Sequence, residues 1–140
     1  MAMTATKPSI KPSVVPTYTS QVLTRADRAF LCSPFLLLFL SQMQTSSISL
    51  QDITGAKGVD QGYTKKSLGE LTAEAAVLWL IQVGLVRREV DGQGITDGFR
   101  LTLLGRQILG NYQDKGQELP PPSWLDRLKN FLSRWLRLPV

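Results

Sequence analysis

The sequence predicts an α+β domain, mostly helical, with a two-stranded hairpin near its middle and an extra amphipathic helix at its C-terminal end. Three stretches carry that expectation. Thr72 to Val83 is a run of helix-forming and apolar residues closed by Gly84. Two strand-like segments, Leu85 to Val90 and Phe99 to Thr102, flank a glycine-rich turn. Trp124 to Leu138 separates apolar from polar residues at helical spacing.

Taken in order, residues 1–19 are rich in Pro, Thr and Ser and read as a flexible basic arm. A helix is expected from Ser20 or Thr24, either of which can cap it, to about Leu31. Ser33-Pro34 then has the form of a cap and a first-turn proline, opening a helix from Pro34 to Met43 whose Phe35, Leu36, Phe39 and Leu40 supply a core face. Ser49-Leu-Gln-Asp52 has the S-x-x-D pattern of a short helix start reaching about Thr54. Four glycines between Gly55 and Gly69 predict a long loop. Thr72 is the expected cap of the next helix. After the hairpin, Leu103 to Tyr112 returns to helix, with Thr102 as cap and Leu104, Ile108 and Leu109 inward. This gives one domain over residues 20–114, a Pro-rich linker over 115–122 containing Pro120-Pro-Pro122, and a final helix over 123–138.

Local residues support a closer comparison. Leu78-Trp-Leu-Ile-Gln-Val-Gly-Leu-Val86-Arg87 resembles the third helix and first wing strand of MarR- and PadR-like regulators. Phe99-Arg-Leu-Thr-Leu-Leu-Gly105-Arg-Gln-Ile-Leu109 is similar to their second wing strand and L-T-x-x-G helix start. The resemblance covers about residues 34 to 112 and implies a winged helix-turn-helix with a two-stranded wing. The whole chain also resembles a cyanobacterial family of winged-helix-like proteins, a resemblance that implies a fold and no chemistry.

Composition narrows the function. The 140-residue chain has no histidine and one cysteine, Cys32. The commonest general base and metal ligand are therefore missing, and a zinc site has no usual ligand set. No catalytic residue, metal site or cofactor is expected, and the protein is read as a non-enzyme. Gly92-x-Gly94 lacks the third glycine of a dinucleotide fingerprint, and Asp91 to Asp97 does not reproduce a calcium loop. Cys32 is expected as a buried, reduced thiol of an intracellular protein. No apolar segment suits a secretory signal or a membrane span, since the run Phe35 to Leu40 is far shorter than about 20 residues. A cytoplasmic protein is expected, possible peripheral membrane contact included.

Charge is distributed unevenly. Residues 1–28 carry four basic residues against one acidic, residues 29–114 seven against eight, and residues 115–140 five against two. The central domain is thus nearly neutral, unlike a duplex reader with a basic docking face. The helix Thr72 to Val83 offers Glu74 and Gln82 where base-reading side chains would stand. It is apolar on two sides, so Ala76, Trp79 and Val83 form a surface expected to be covered by a partner or by another part of this chain. Lys65, Lys66, Arg87 and Arg88 are the candidate nucleic-acid contacts if DNA is bound.

The last helix opens on Ser123-x-x-Asp126 and is stopped by Pro139. On a wheel of about 100° per residue, Trp124, Leu125, Leu128, Phe131, Leu132, Trp135, Leu136 and Leu138 form one face. Arg127, Lys129, Arg134 and Arg137 lie among the polar residues on the rest. This composition suits an interfacial helix on anionic lipid. Docking onto its own domain over Trp79, or into a groove on a protein partner, remains open. The expected function is a winged-helix adaptor or assembly protein with protein partners, its last helix contacting a membrane or a larger complex. The alternative is a DNA-binding transcription regulator, which should be dimeric.

Overall fold

A computed structural model describes residues 17–114 and 122–137 of the chain. Among them are six α-helices and one three-stranded antiparallel sheet, in an α+β arrangement that is 57% helical. Helix α1, Ser20–Leu31, is capped by Thr19, whose hydroxyl accepts from the Val22 amide at 3.2 Å. The expected caps Ser20 and Thr24 lie inside the helix. Residues 1–16 of the expected arm, most of the 115–122 linker and residues 138–140 lie outside the described residues.

Helix α2, Leu37–Gln42, begins three residues later than the Ser33-Pro34 pattern predicts. The reason is a long-range pairing: Phe35 is extended and bridges to Thr64. The Ser33 hydroxyl instead donates to the Phe30 carbonyl at 2.6 Å and accepts from the Phe35 amide at 3.3 Å. A two-residue strand β1, Ile48–Ser49, then leads into a 3-10 turn, Leu50–Ile53. Ser49 and Asp52 form the expected capping box there. Asp52 also pairs with Lys57 at 3.0 Å. Burial would push the Asp52 carboxyl up, but the bonds from Ser49 and Lys57 outweigh it and hold the group below its ordinary value of 3.8. A carboxylate depressed in this way adds stability above about pH 4 that disappears as pH falls through the lower folded-state value. NMR titration should show the Asp52 midpoint rising towards its ordinary value in Lys57→Met.

The glycine-rich stretch expected as a loop contains helix α3, Gly55–Asp60. Its close packing depends on Gly58, where a Cβ would stand 2.8 Å from the Ile53 carbonyl oxygen. Helix α4, Glu70–Gln82, starts two residues before Thr72 and takes Gly69 as its N-cap. Gly84, at φ +89°, turns the chain out of α4 into strand β2, Val86–Asp91. Strand β3, Gly94–Leu101, is twice the expected length, so the expected loop over 91–98 shrinks to a turn at Gly92-Gln93. The sheet order is β1-β3-β2, with Val86 opposite Leu101 and Ile48 opposite Phe99. Arg100 latches this sheet to the end of α2, donating to the carbonyls of Met43 and Gln44 and pairing with Glu89 at 3.2 Å.

Helix α5, Leu103–Asp114, buries Leu104, Ile108 and Leu109 as its spacing predicts. Thr102 is its cap: the hydroxyl accepts from the Gly105 amide at 3.0 Å and faces the Gly84 carbonyl and, at 3.0 Å, the Leu85 carbonyl as acceptors at the turn between α4 and β2. Thr102→Val keeps the shape and loses these bonds, an expected cost of about 1–2 kcal/mol in urea unfolding. One core joins the layers: Phe30 from α1, Phe35 and Phe39, Val77 and Leu80 from α4, Leu85, and Leu109 from α5 are fully enclosed. Each such side chain contributes about 1.5–3 kcal/mol by leaving water. The Tyr112 hydroxyl of α5 donates to Asp27 of α1, and burial followed by that carboxylate pushes the phenol well above its ordinary range.

Candidate functional site

Helix α6, Trp124–Trp135, opens on the expected capping box of Ser123 and Asp126. Its C-cap is Leu136, short of the expected stop at Pro139, and Arg137 after the cap takes the left-handed conformation at φ 57°. The helix lies across α1 and α4. What distinguishes it is the side it presents to them.

The polar side faces inward. Asn130 Oδ1 accepts from the Trp79 indole N–H at 3.0 Å, and Arg134 donates to the Ala75 carbonyl at 3.1 Å. Ser133, between them, is only 7% exposed. On a wheel of about 100° per residue, Asp126, Asn130 and Ser133 lie opposite Trp124, Leu128 and Trp135. Those last three, with Leu125, Phe131 and Leu136, stand in solvent: Trp124 is 74% and Trp135 60% exposed. Leu132, between Leu128 and Leu125 on the wheel, is half-buried. An amphipathic helix normally packs the other way round, apolar side to the core. Here a row of six large apolar side chains is held outward on a folded domain.

Cations border that row. Arg127, Lys129 and Arg137 are exposed, and the half-buried Arg134 guanidinium stacks on the Trp135 ring at 4.7 Å. Burial lowers the Arg134 pKa. Beside α6 a groove of about 710 Å³ opens between Cys32–Pro34, Lys65–Lys66, the first half of α4 and α6. Its cations are Lys65, Lys66, Arg127 and Arg134, and no carboxylate stands among its described lining residues. The Lys65 ammonium is fixed by the Ser33 carbonyl at 3.1 Å. Cys32 lines the same groove; burial, then Asp126, pushes its thiol up against the opposing pull of Arg127, Arg28 and Lys65. A thiol so raised is protonated at neutral pH and a poor nucleophile.

Residues 16–134 match a family model described as Npun_F0494-like. The chain belongs to the Npun_F0494-like family. No curated protein and no solved structure matches it. The matched span includes nearly all of α6, so the outward-facing helix is part of the family's unit rather than an appendage to it.

The other sequence-predicted positions fall in two groups. Ala76, Trp79 and Val83 are all buried within the chain, and Trp79 is covered by α6. Of the two covers expected for that surface, a partner or another part of this chain, the structure has the second. Of the candidate nucleic-acid contacts, Lys65 and Lys66 line the groove, whereas Arg87 and Arg88 sit on β2, with Arg88 over the Phe99 ring at 5.4 Å. The four are not brought together. Leu71, 81% exposed at the start of α4 and lining the groove, was not singled out by sequence because a lone leucine in a helical run carries no signal of its orientation. Among the described residues no group of acidic, cysteine or histidine side chains suits a metal, and no helix is long and apolar enough to cross a membrane.

Proposed function

We propose that this protein is a non-catalytic adaptor of winged-helix type that attaches peripherally to an anionic membrane surface, on the cytoplasmic face, through the outward side of α6. The observation that carries the reading is the inverted packing of α6, which leaves Trp124, Leu128, Phe131 and Trp135 in solvent while Asn130 and Ser133 are docked. Tryptophans at the edge of a leucine-rich face, bordered by cations, match an interface of headgroups over acyl chains. The winged-helix part draws support from the strand order β1-β3-β2, with β1 between the early helices and the β2–β3 hairpin after α4. The remaining surface of the domain is left for a protein partner.

The DNA-reading alternative draws less support. The helix that would enter a major groove, α4, exposes Thr72 and Gln82 as its only neutral hydrogen-bonding side chains, beside Glu70, Leu71, Glu74 and Leu78, and Ala75 and Trp79 are engaged by α6. These positions offer little to base edges or phosphates. Vesicle co-sedimentation of the full chain tests the membrane reading. Binding to vesicles containing phosphatidylglycerol, weakened by salt and absent with pure phosphatidylcholine, is the expected result. A soluble, folded chain that ignores both vesicles overturns it.

A further inference from the structure

We infer that the groove beside α6 is a binding site for a single anionic phospholipid, its phosphate held by Lys65, Lys66, Arg127 and Arg134 and its acyl portion lying along Leu71 and Trp135. The inference rests on the membrane reading and assigns a distinct site to it. Four cations converge on one concavity with no carboxylate among its described lining residues, in a domain whose central part carries slightly more acidic than basic residues. Like charges placed together repel, and the arrangement becomes favourable when an anion sits among them.

Two of the four are held in place before any ligand arrives. Lys65 is tied to the Ser33 carbonyl, and Arg134 is tied to the Ala75 carbonyl and stacked on Trp135. They come from separate elements, the segment before α4 and α6 itself, so the groove has a cation on each of two walls. Pre-fixed donors lose less freedom on binding than mobile surface lysines do.

Size and apolar lining choose the ligand. About 710 Å³ is far more than a free phosphate fills and falls within the range of sites for drug-sized molecules. Leu71 and Trp135 are both largely exposed and both line the groove, and Trp135 belongs also to the outward row of α6. A lipid seated with its phosphate in the groove therefore directs its chains towards the surface that α6 would press against a bilayer.

The test uses the full chain and short-chain phospholipids below their micelle concentration, so that no vesicle is present. Amide and side-chain NMR shifts are followed with dihexanoyl phosphatidylglycerol, dihexanoyl phosphatidylcholine and inorganic phosphate. The expected result is saturable binding of the phosphatidylglycerol, with shifts at Lys65, Lys66, Leu71 and the Trp135 indole. Lys65→Gln/Lys66→Gln, at solvent-exposed positions, should weaken it by about tenfold or more. Inorganic phosphate binding as tightly as the lipid would overturn the inference, because the apolar lining would then have no part. Equal binding of the phosphatidylcholine, or unchanged affinity in the double variant, would overturn the role of the cations. Failure of the monomeric lipid to bind, while vesicles still do, sinks this site and leaves the membrane reading of α6 standing.

Discussion

Replacing Trp124, Phe131 and Trp135 together by serine is expected to abolish association with anionic vesicles while leaving the domain folded. Each of these rings contributes about 1.5–3 kcal/mol when it leaves water completely. Partial insertion of all three thus amounts to about 3–6 kcal/mol, or at least about a hundredfold in affinity. The folded chain draws little from them, since all three are more than half exposed. The change in unfolding free energy should stay within about 1 kcal/mol, most of it the lost stacking of Arg134 on Trp135. Asn130→Ala, on the opposite side of the helix, should do the reverse. It leaves the buried Trp79 indole N–H without its acceptor, at a cost of about 1–3 kcal/mol, and touches none of the outward residues. Paired sedimentation and denaturation curves on the two variants separate the inner from the outer face. A triple variant that binds vesicles as the parent does would remove the basis for the membrane reading.

Gly105→Ala carries the largest expected loss of stability. Gly105 sits in the first turn of α5, and a methyl group there would collide with the Leu85 carbonyl oxygen and the Leu101 side chain. A backbone oxygen held in the sheet-to-helix junction by Thr102 cannot move aside as a side-chain tip could. The expected cost is about 2–3 kcal/mol, a fall in Tm on the order of 10 °C. Gly110, on the same helix, has nothing within 4 Å of the corresponding position. Gly110→Ala should therefore raise stability by about 0.5–1 kcal/mol through helix propensity alone. If both alanines destabilise equally, close packing at Gly105 is not the cause.

Much of the architecture is legible in the sequence because local chemistry decides it. Ser49 and Asp52, Thr102, and Ser123 and Asp126 announce helix or turn starts that the structure contains. Gly84 marks the exit from α4, and the apolar spacing of α5 names its buried face. What is not legible depends on distant partners. Phe35 delays α2 because it pairs with Thr64, and the two-residue β1 exists only through its pairing with β3. Helix α3 was hidden by glycines that read as a loop, although Gly58 is there to admit the Ile53 carbonyl. The candidate site shows the same division. The sequence of α6 reveals two faces, apolar and polar, but not which one turns inward. That choice is made by Trp79 and Ala75 on α4, fifty or more residues away, through their bonds to Asn130 and Arg134.

The inverted seat of α6 has a thermodynamic consequence. Most short interfacial segments are unstructured in water and become helical only at the lipid surface, which costs about 1 kcal/mol for each residue ordered. Here the 12 residues of α6 are already ordered by the domain beneath them. On the membrane attachment proposed above, attachment and folding form one linked equilibrium: the native chain offers a ready helix, and the denatured chain must form it anew. Vesicles then act as a ligand of the native state and raise its melting temperature. Heating bound vesicles is then expected to melt the domain and release it from the bilayer in the same transition.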